Sequence, residues 1–224
     1  MSRPGGAPDP AGDLQLLQLV VGPLEVNCYV LLVGDRAVVV DPGEEGERIA
    51  AQLQQRGAIL EAVWLTHAHF DHVGGVSALL QHKPEGSPEE VPVLLHPDDD
   101  VLLKNAVTAA ARWSLSIDAP PTDTVPLAHG QLLDLGGVRV RALHTPGHAP
   151  GHVAFHLLDH AAVLSGDALF AGSVGRTDLP LSNGPQLLDS IRRELLTLSD
   201  ETVVLPGHGP TTTIGAERNG NPFL

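Results

Sequence analysis

The chain has 224 residues, enough to bury a substantial core in one large domain, and its 42% apolar and 18% charged composition is that of a soluble globular protein. A formal charge of −14 repels phosphate backbones and argues against nucleic acid as a partner. The single cysteine, Cys28, excludes an internal disulfide and fits a reducing, cytoplasmic setting.

Residues 1–13 are rich in proline and glycine and hold no apolar run, so the expectation is a frayed tail, neither signal peptide nor membrane span. The remainder, 14–224, reads as one domain. Three apolar runs, 14–21, 26–33 and 37–40, are separated by turns too short for crossovers and predict an antiparallel meander. Cys28 falls inside the second run and reads as buried and inert. Helical spacing over 44–56 ends at Gly57, and a strand is expected over 62–66 with a helix following over 73–81. A strand over 91–95 and a helix over 102–112 come next. Asp98, Asp99 and Asp100 before that helix read as solvated N-terminal acids, not as ligands. Residues 114–130 contain three prolines and no clear period, which predicts a binding loop or lid that completes a pocket. Strands then recur over 131–135, 138–143, 152–158 and 161–164. A helix follows over 184–198 and a last strand over 202–205. Two mainly antiparallel sheets facing each other, with helices outside, would bury these runs in a four-layer αββα sandwich, an α/β architecture.

Between the strand at 62–66 and Gly74 stands Thr66-His67-Ala68-His69-Phe70-Asp71-His72. Three imidazoles and a carboxylate this close together form a dense set of nitrogen and oxygen metal ligands. His67 and His69 share parity and can face one ion, and Asp71 and His72 fall where the chain turns into a helix and can face a second. His148, Asp167 and His208 each follow an apolar run and a glycine. Seven ligands delivered to one edge by strand exits exceed the needs of one tetrahedral zinc and suit a pair of ions sharing a carboxylate.

Taken together, Thr-His-Ala-His-Phe-Asp-His with His148, Asp167 and His208 resembles the metallo-β-lactamase superfamily. Asp167 resembles the glyoxalase II-like branch, since true lactamases commonly carry cysteine there. The segments Gly175-Arg176-Thr177-Asp178 and Glu217-Arg218-Asn219-Gly220-Asn221-Pro222-Phe223 resemble that branch too. The resemblance implies a thioesterase of the hydroxyacylglutathione hydrolase type. His67, His69 and His148 would hold one metal, and Asp71, His72 and His208 the other, with Asp167 and a hydroxide between them. Asp71 would orient that hydroxide or take its proton. The expected cofactors are two divalent transition metals, zinc first, with iron and manganese open in the absence of thiolate ligands. The expected partner is a small acyl thioester, with no membrane involved. Members of that branch commonly continue into a helical domain, whereas this chain stops shortly after His208, so weak dependence on the glutathione moiety is expected.

Several assignments keep two readings. Asp41 is either a carboxylate steering a ligand histidine or a turn former before Pro42-Gly43. Arg176 and Asp178 either anchor substrate or fix their loop as an ion pair, the second being preferred. His152 and His156 share a strand face, but the resemblance selects His148. His144 reads as a supporting or core residue, and His82, His96, His129 and His160 as surface residues. A mononuclear iron persulfide dioxygenase is the alternative activity, and a lactonase or other hydrolase of the same fold stands behind it.

Overall fold

The computed structural model describes residues 14–224, so the tail expected over 1–13 lies outside the described residues. The first sheet contains β1 (Leu14–Val21), β2 (Val26–Val33), β3 (Arg36–Val40), β4 (Ile59–Trp64), β5 (Val93–Leu95) and β6 (Val125–Pro126), in that order. Its first three strands form the expected antiparallel meander. The pairings β3–β4, β4–β5 and β5–β6 are parallel, which corrects the expectation of a mainly antiparallel sheet. The cause is in the connections. Helix α1 (Gly46–Gln55) links β3 to β4, α2 (Phe70–Val73) and α3 (Val76–Gln81) link β4 to β5, and α4 (Asp100–Arg112) links β5 to β6. Helical crossovers return the chain in the same direction.

The second sheet has the order β14–β13–β10–β9–β8–β7, built from β7 (Leu132–Leu135), β8 (Val138–His144), β9 (Val153–Leu157), β10 (Ala162–Gly166), β13 (Val203–Pro206) and β14 (Thr212–Thr213). Only β10–β13 is parallel there. A small hairpin of β11 (Leu169–Phe170) and β12 (Ser173–Val174) stands apart. Helix α5 (Gly184–Ser190) starts at an Asn183 cap and runs on into a π-type turn over Ile191–Leu195. A short helix, α6 (Ile214–Gly220), follows the last strand and is absent from the sequence reading.

Burial shows why these runs make layers. In β2 every residue is buried. Tyr29, Leu31 and Val33 face the second sheet, while Cys28, Val30 and Leu32 face the helices, as the period of two requires. Phe155, Leu157, Val138 and Val140 meet the first set from the other sheet. The outer face of the second sheet packs Val163 and Val204 on Leu187, Ile191 and Leu195. The four layers are thus helix, sheet, sheet, helix. Strands β3 and β4 run parallel, so Asp41 and Thr66 leave the first sheet side by side. Strands β10 and β13 do the same for Asp167 and His208 in the second. All the candidate ligands therefore arrive at one edge.

The loop 114–130 does something other than expected. Leu127 donates its N–H to the Leu95 carbonyl, Ser77 Oγ donates to the Ala119 carbonyl, and Ile117 packs into the helical face of the core. It straps the outer helices and adds an edge strand, and none of its residues lines the cleft described below.

Candidate metal centre

The structure brings the seven candidate ligands together. Ligand atoms of His67, His69 and His148 lie within 4.8 Å of one another, as do those of Asp71, His72 and His208, and those of His67, His72 and Asp167. His67 Nε2 and His69 Nδ1 are 3.0 Å apart. Asp167 stands between the groups, 3.5 Å from His148 Nε2, 3.5 Å from His72 Nε2 and 3.7 Å from His208 Nε2.

Four of the five rings are aimed by their other nitrogen. His148 Nδ1 donates to the Arg176 carbonyl at 2.8 Å, and His208 Nδ1 to the Leu24 carbonyl at 2.9 Å. Asp41 takes the Thr66 N–H and hydroxyl, both at 2.7 Å, and the His72 Nδ1–H at 3.0 Å. The Thr66 hydroxyl, its proton committed to Asp41, accepts from His67 Nδ1 at 3.0 Å. One carboxylate therefore sets two imidazoles, directly and through Thr66, while the Asp41 backbone also makes the turn, with φ +50° and its carbonyl accepting the Gly43 N–H at 2.8 Å, so both readings of Asp41 are met. The atoms left pointing inward include His72 Nε2, His148 Nε2 and Asp167 Oδ1, which are buried and have no hydrogen-bond partner. Buried lone pairs without donors are costly, and a cation is the species that satisfies several of them at one point. The donor set, nitrogen and carboxylate without thiolate, fits divalent transition metals.

The halves differ in charge. Burial holds His67 well below its ordinary pKa, pushes His69 down to about 3, and lowers His148 against the pull of Asp167. These three are neutral lone-pair donors. Burial also disfavours charge on His72 and His208, but the carboxylates outweigh it: Asp167 and Asp41 raise His72, and the contact with Asp71 raises His208. For Asp71 and Asp167, burial opposes ionisation and the histidines overcome it, so both are held below the usual carboxylate range.

Two supporting residues, Asp99 and His152, take roles that the sequence did not suggest, and a third, Gly207, makes the close approach expected of it. Asp99 is fully buried, not solvated: it accepts the Ala68 N–H at 2.9 Å and the Gly151 N–H at 2.5 Å. It ties the loop carrying His67 and His69 to the loop carrying His148. Asp98 stays exposed, so the expectation holds for that neighbour but fails for Asp99. His152 is buried and accepts the Asp167 N–H at 3.0 Å while its Nδ1 donates to Thr145 at 2.8 Å, which orients Asp167 and leaves no nitrogen for a metal. Gly207 passes so close to Asp167 and His72 that a Cβ there would stand 2.2 Å from Asp167 Oδ1. The period of the sequence gives no sign of these tertiary contacts. His144 and His96 stack at 4.1 Å between ring centres, so His96 is half-buried and not a surface residue.

Arg176 and Asp178 form a two-pronged ion pair, both contacts at 2.8 Å, and the Arg176 guanidinium lies 5.7 Å from the Trp113 ring centre. Glu217 and Asn221 of the C-terminal motif hold the β11–β12 hairpin by bonds from Gly172 N–H and to the Ser173 carbonyl. Above the inward-facing atoms opens a cleft of about 650 Å³, with His69, Asp71, His148, Asp167 and His208 in its floor.

A layered αββα fold with this ligand set at one sheet edge defines a metal-dependent hydrolase fold, and the chain belongs to the metallo-beta-lactamase superfamily, whose domain matches residues 21–208. It is similar to the hydroxyacylglutathione hydrolase GloC of Haemophilus influenzae, 37% identical over 203 residues that cover 88% of this chain and 92% of that protein. Among solved structures, TTHA1623 in a di-iron-bound form has a TM-score of 0.84 at 47% identity, covering 93% of this chain and 100% of that one. The B3 metallo-beta-lactamase BLEG-1 has a TM-score of 0.84 at 37% identity, covering 94% and 99%.

Proposed function

We propose that the protein is a thioester hydrolase of the glyoxalase II type, with His67, His69 and His148 holding one divalent cation, Asp71, His72 and His208 a second, and Asp167 shared. The observation that carries this reading is the convergence of seven side chains whose free lone pairs, three of them buried and unpartnered, face one cleft floor. A bound pair of such cations makes water ionisable near neutral pH and polarises an acyl carbonyl. The protein's own part is positional. Asp41 and Thr66 hold His72 and His67, Arg176 holds His148 through its carbonyl, and His152 holds Asp167. Asp71 is partly open to the cleft, with its Oδ2 3.4 Å from His208 Nε2, and is placed to take the proton of the attacking water. The water oxygen bonds to the acyl carbon, the C–S bond breaks, and the thiol leaves with a proton.

Thioester in place of lactam is supported by the likeness to GloC and by Asp167 at the shared position; zinc is the first metal to test, and the di-iron form of TTHA1623 makes iron the second. The segment Arg176-Thr177-Asp178-Leu179-Pro180, which resembles the hydrolases, supports this reading over a persulfide dioxygenase with a single iron, a branch that shares the ligand motif. The single domain over 14–224 and the cytoplasmic setting belong to the same proposal. Among the described residues no helix is long and apolar enough to cross a membrane. The test is protein reconstituted with zinc and assayed for thiol release from S-lactoylglutathione and smaller thioesters and for nitrocefin cleavage, beside protein reconstituted with iron and assayed for thiol release and for oxygen uptake with a persulfide. Thiol release is expected. Lactam cleavage or oxygen uptake without it overturns the reading.

A further inference from the structure

The floor of the cleft is charged, but its wall is apolar. Helix α4 turns Val101, Leu102 and Ala109 toward it, and Trp113 stands just past the helix end. Phe170 of β11 and Leu24 close the other side. Val101 is 47% exposed and Trp113 50%, both large for side chains bordering ligand-rich atoms. Trp113 is nonetheless held in place, its ring 6.3 Å from Phe70 on one hand and under the Arg176 guanidinium on the other. A fixed aromatic and an exposed aliphatic stripe at the mouth of a site mark where an apolar group is received.

Resting on the thioesterase reading, we infer that the acyl half of the substrate is an apolar chain of several carbons laid along the α4 wall. The scissile carbonyl belongs at the floor, beside Asp71 and Asp167. From there Val101, Leu102, Ala109 and Trp113 run outward along α4, with Asn105 and Thr108 set among them, so a group attached to that carbonyl lies along a mostly apolar surface. At the end of the same helix Arg112 lines the rim, a cation that suits a polar, anionic thiol carrier and leaves the wall to the acyl chain. A small hydroxylated acyl group such as lactoyl would leave Val101, Leu102 and Trp113 in water. The cleft volume, about 650 Å³, is that of a small-molecule site.

The experiment compares acetyl, butyryl, hexanoyl and octanoyl thioesters of glutathione on the zinc-reconstituted protein. At the usual value of burying a methylene, kcat/KM rises roughly two- to fourfold per added carbon until the wall is covered. Trp113→Ala and the surface change Val101→Asn lower the octanoyl-to-acetyl ratio about tenfold or more. Leu132→Ala, which removes an equally exposed apolar side chain on the edge strand β7, leaves that ratio alone. S-alkyl glutathione thioethers, which cannot be hydrolysed, bind with the same dependence on length by calorimetry. Hydrolysis that is flat or falls with acyl length, or a ratio unmoved by both wall variants, overturns this inference and leaves the thioesterase reading standing. Failure to release thiol from any member of the series overturns the thioesterase reading itself, and thioether binding that is flat with length overturns the apolar wall independently of turnover.

Discussion

The two ligand groups of the centre use the same kinds of side chain to opposite electrostatic ends. His67, His69 and His148 are buried among one another, and their pKa values fall; His72 and His208 are buried among carboxylates, and theirs rise. The first group offers lone pairs that no proton contests. The second has carboxylates that attract positive charge, proton or metal. A histidine's role in such a site is thus set by what surrounds its far nitrogen and its near neighbours, not by its place in a motif.

Removing the residue shared by the groups breaks both at once. Asp167→Asn is expected to cost several kcal/mol of transition-state stabilisation, on the order of a thousandfold in kcat/KM, and to lower the metal content of both halves. His148→Ala and His208→Ala each empty their own half, whereas His129→Ala, exposed and outside the centre, is near silent. Metal content and thiol release on the same preparations separate these cases. Asp71→Asn sharpens the comparison, because it strikes only the carboxylate half. Turnover should collapse there with at most a secondary change in KM, measured by steady-state kinetics at saturating zinc.

The pH dependence follows from the same contrast. Raised histidines hold their proton to higher pH, so the stability that this proton confers on the metal-free protein is present below the ordinary histidine pKa and lost as pH rises through the raised values. On the descending side, proton and cation compete for His72 and His208 well before they compete for His69, whose pKa is about 3. Chelator competition at stepped pH should release one cation first as the solution is acidified, and His208→Ala should abolish that early step.

Much of the centre was legible because metal ligands are chemically rare types in unusual density: the histidine cluster, and His148, Asp167 and His208 each behind a glycine that lets the backbone approach closely. Asp41 was legible as two readings, and the structure meets both, the turn in its backbone and the bond to His72 in its side chain. Asp99 was not legible. Three consecutive aspartates before a helix look alike in sequence, and the one that turns inward is chosen by loops more than thirty residues away along the chain. The parallel pairings of the first sheet, the strap formed by 114–130 and the wall residue Trp113 share that origin in long-range packing, as does the short α6, whose glycines at both ends obscure any helical period.

A smaller effect is expected from Asp99→Asn, since the residue touches the ligand loops and no ligand. Metal affinity should drop about tenfold, in the range found for groups that orient ligands. Burial raises the Asp99 carboxyl to about 6, so its contribution to stability is present below the ordinary aspartate value and lost as pH rises through about 6. The stability of the parent protein relative to the variant should therefore be greatest in acid and shrink across that interval, read by denaturant titration of metal-free samples at each pH.

The central claim, that one cleft floor holds two cations on a neutral and an acidic ligand group, is tested most directly by elemental analysis of protein reconstituted with zinc and freed of excess metal. Two zinc ions per chain are predicted, falling to one in His208→Ala. A firm ceiling of one ion per chain in the parent protein would contradict the account.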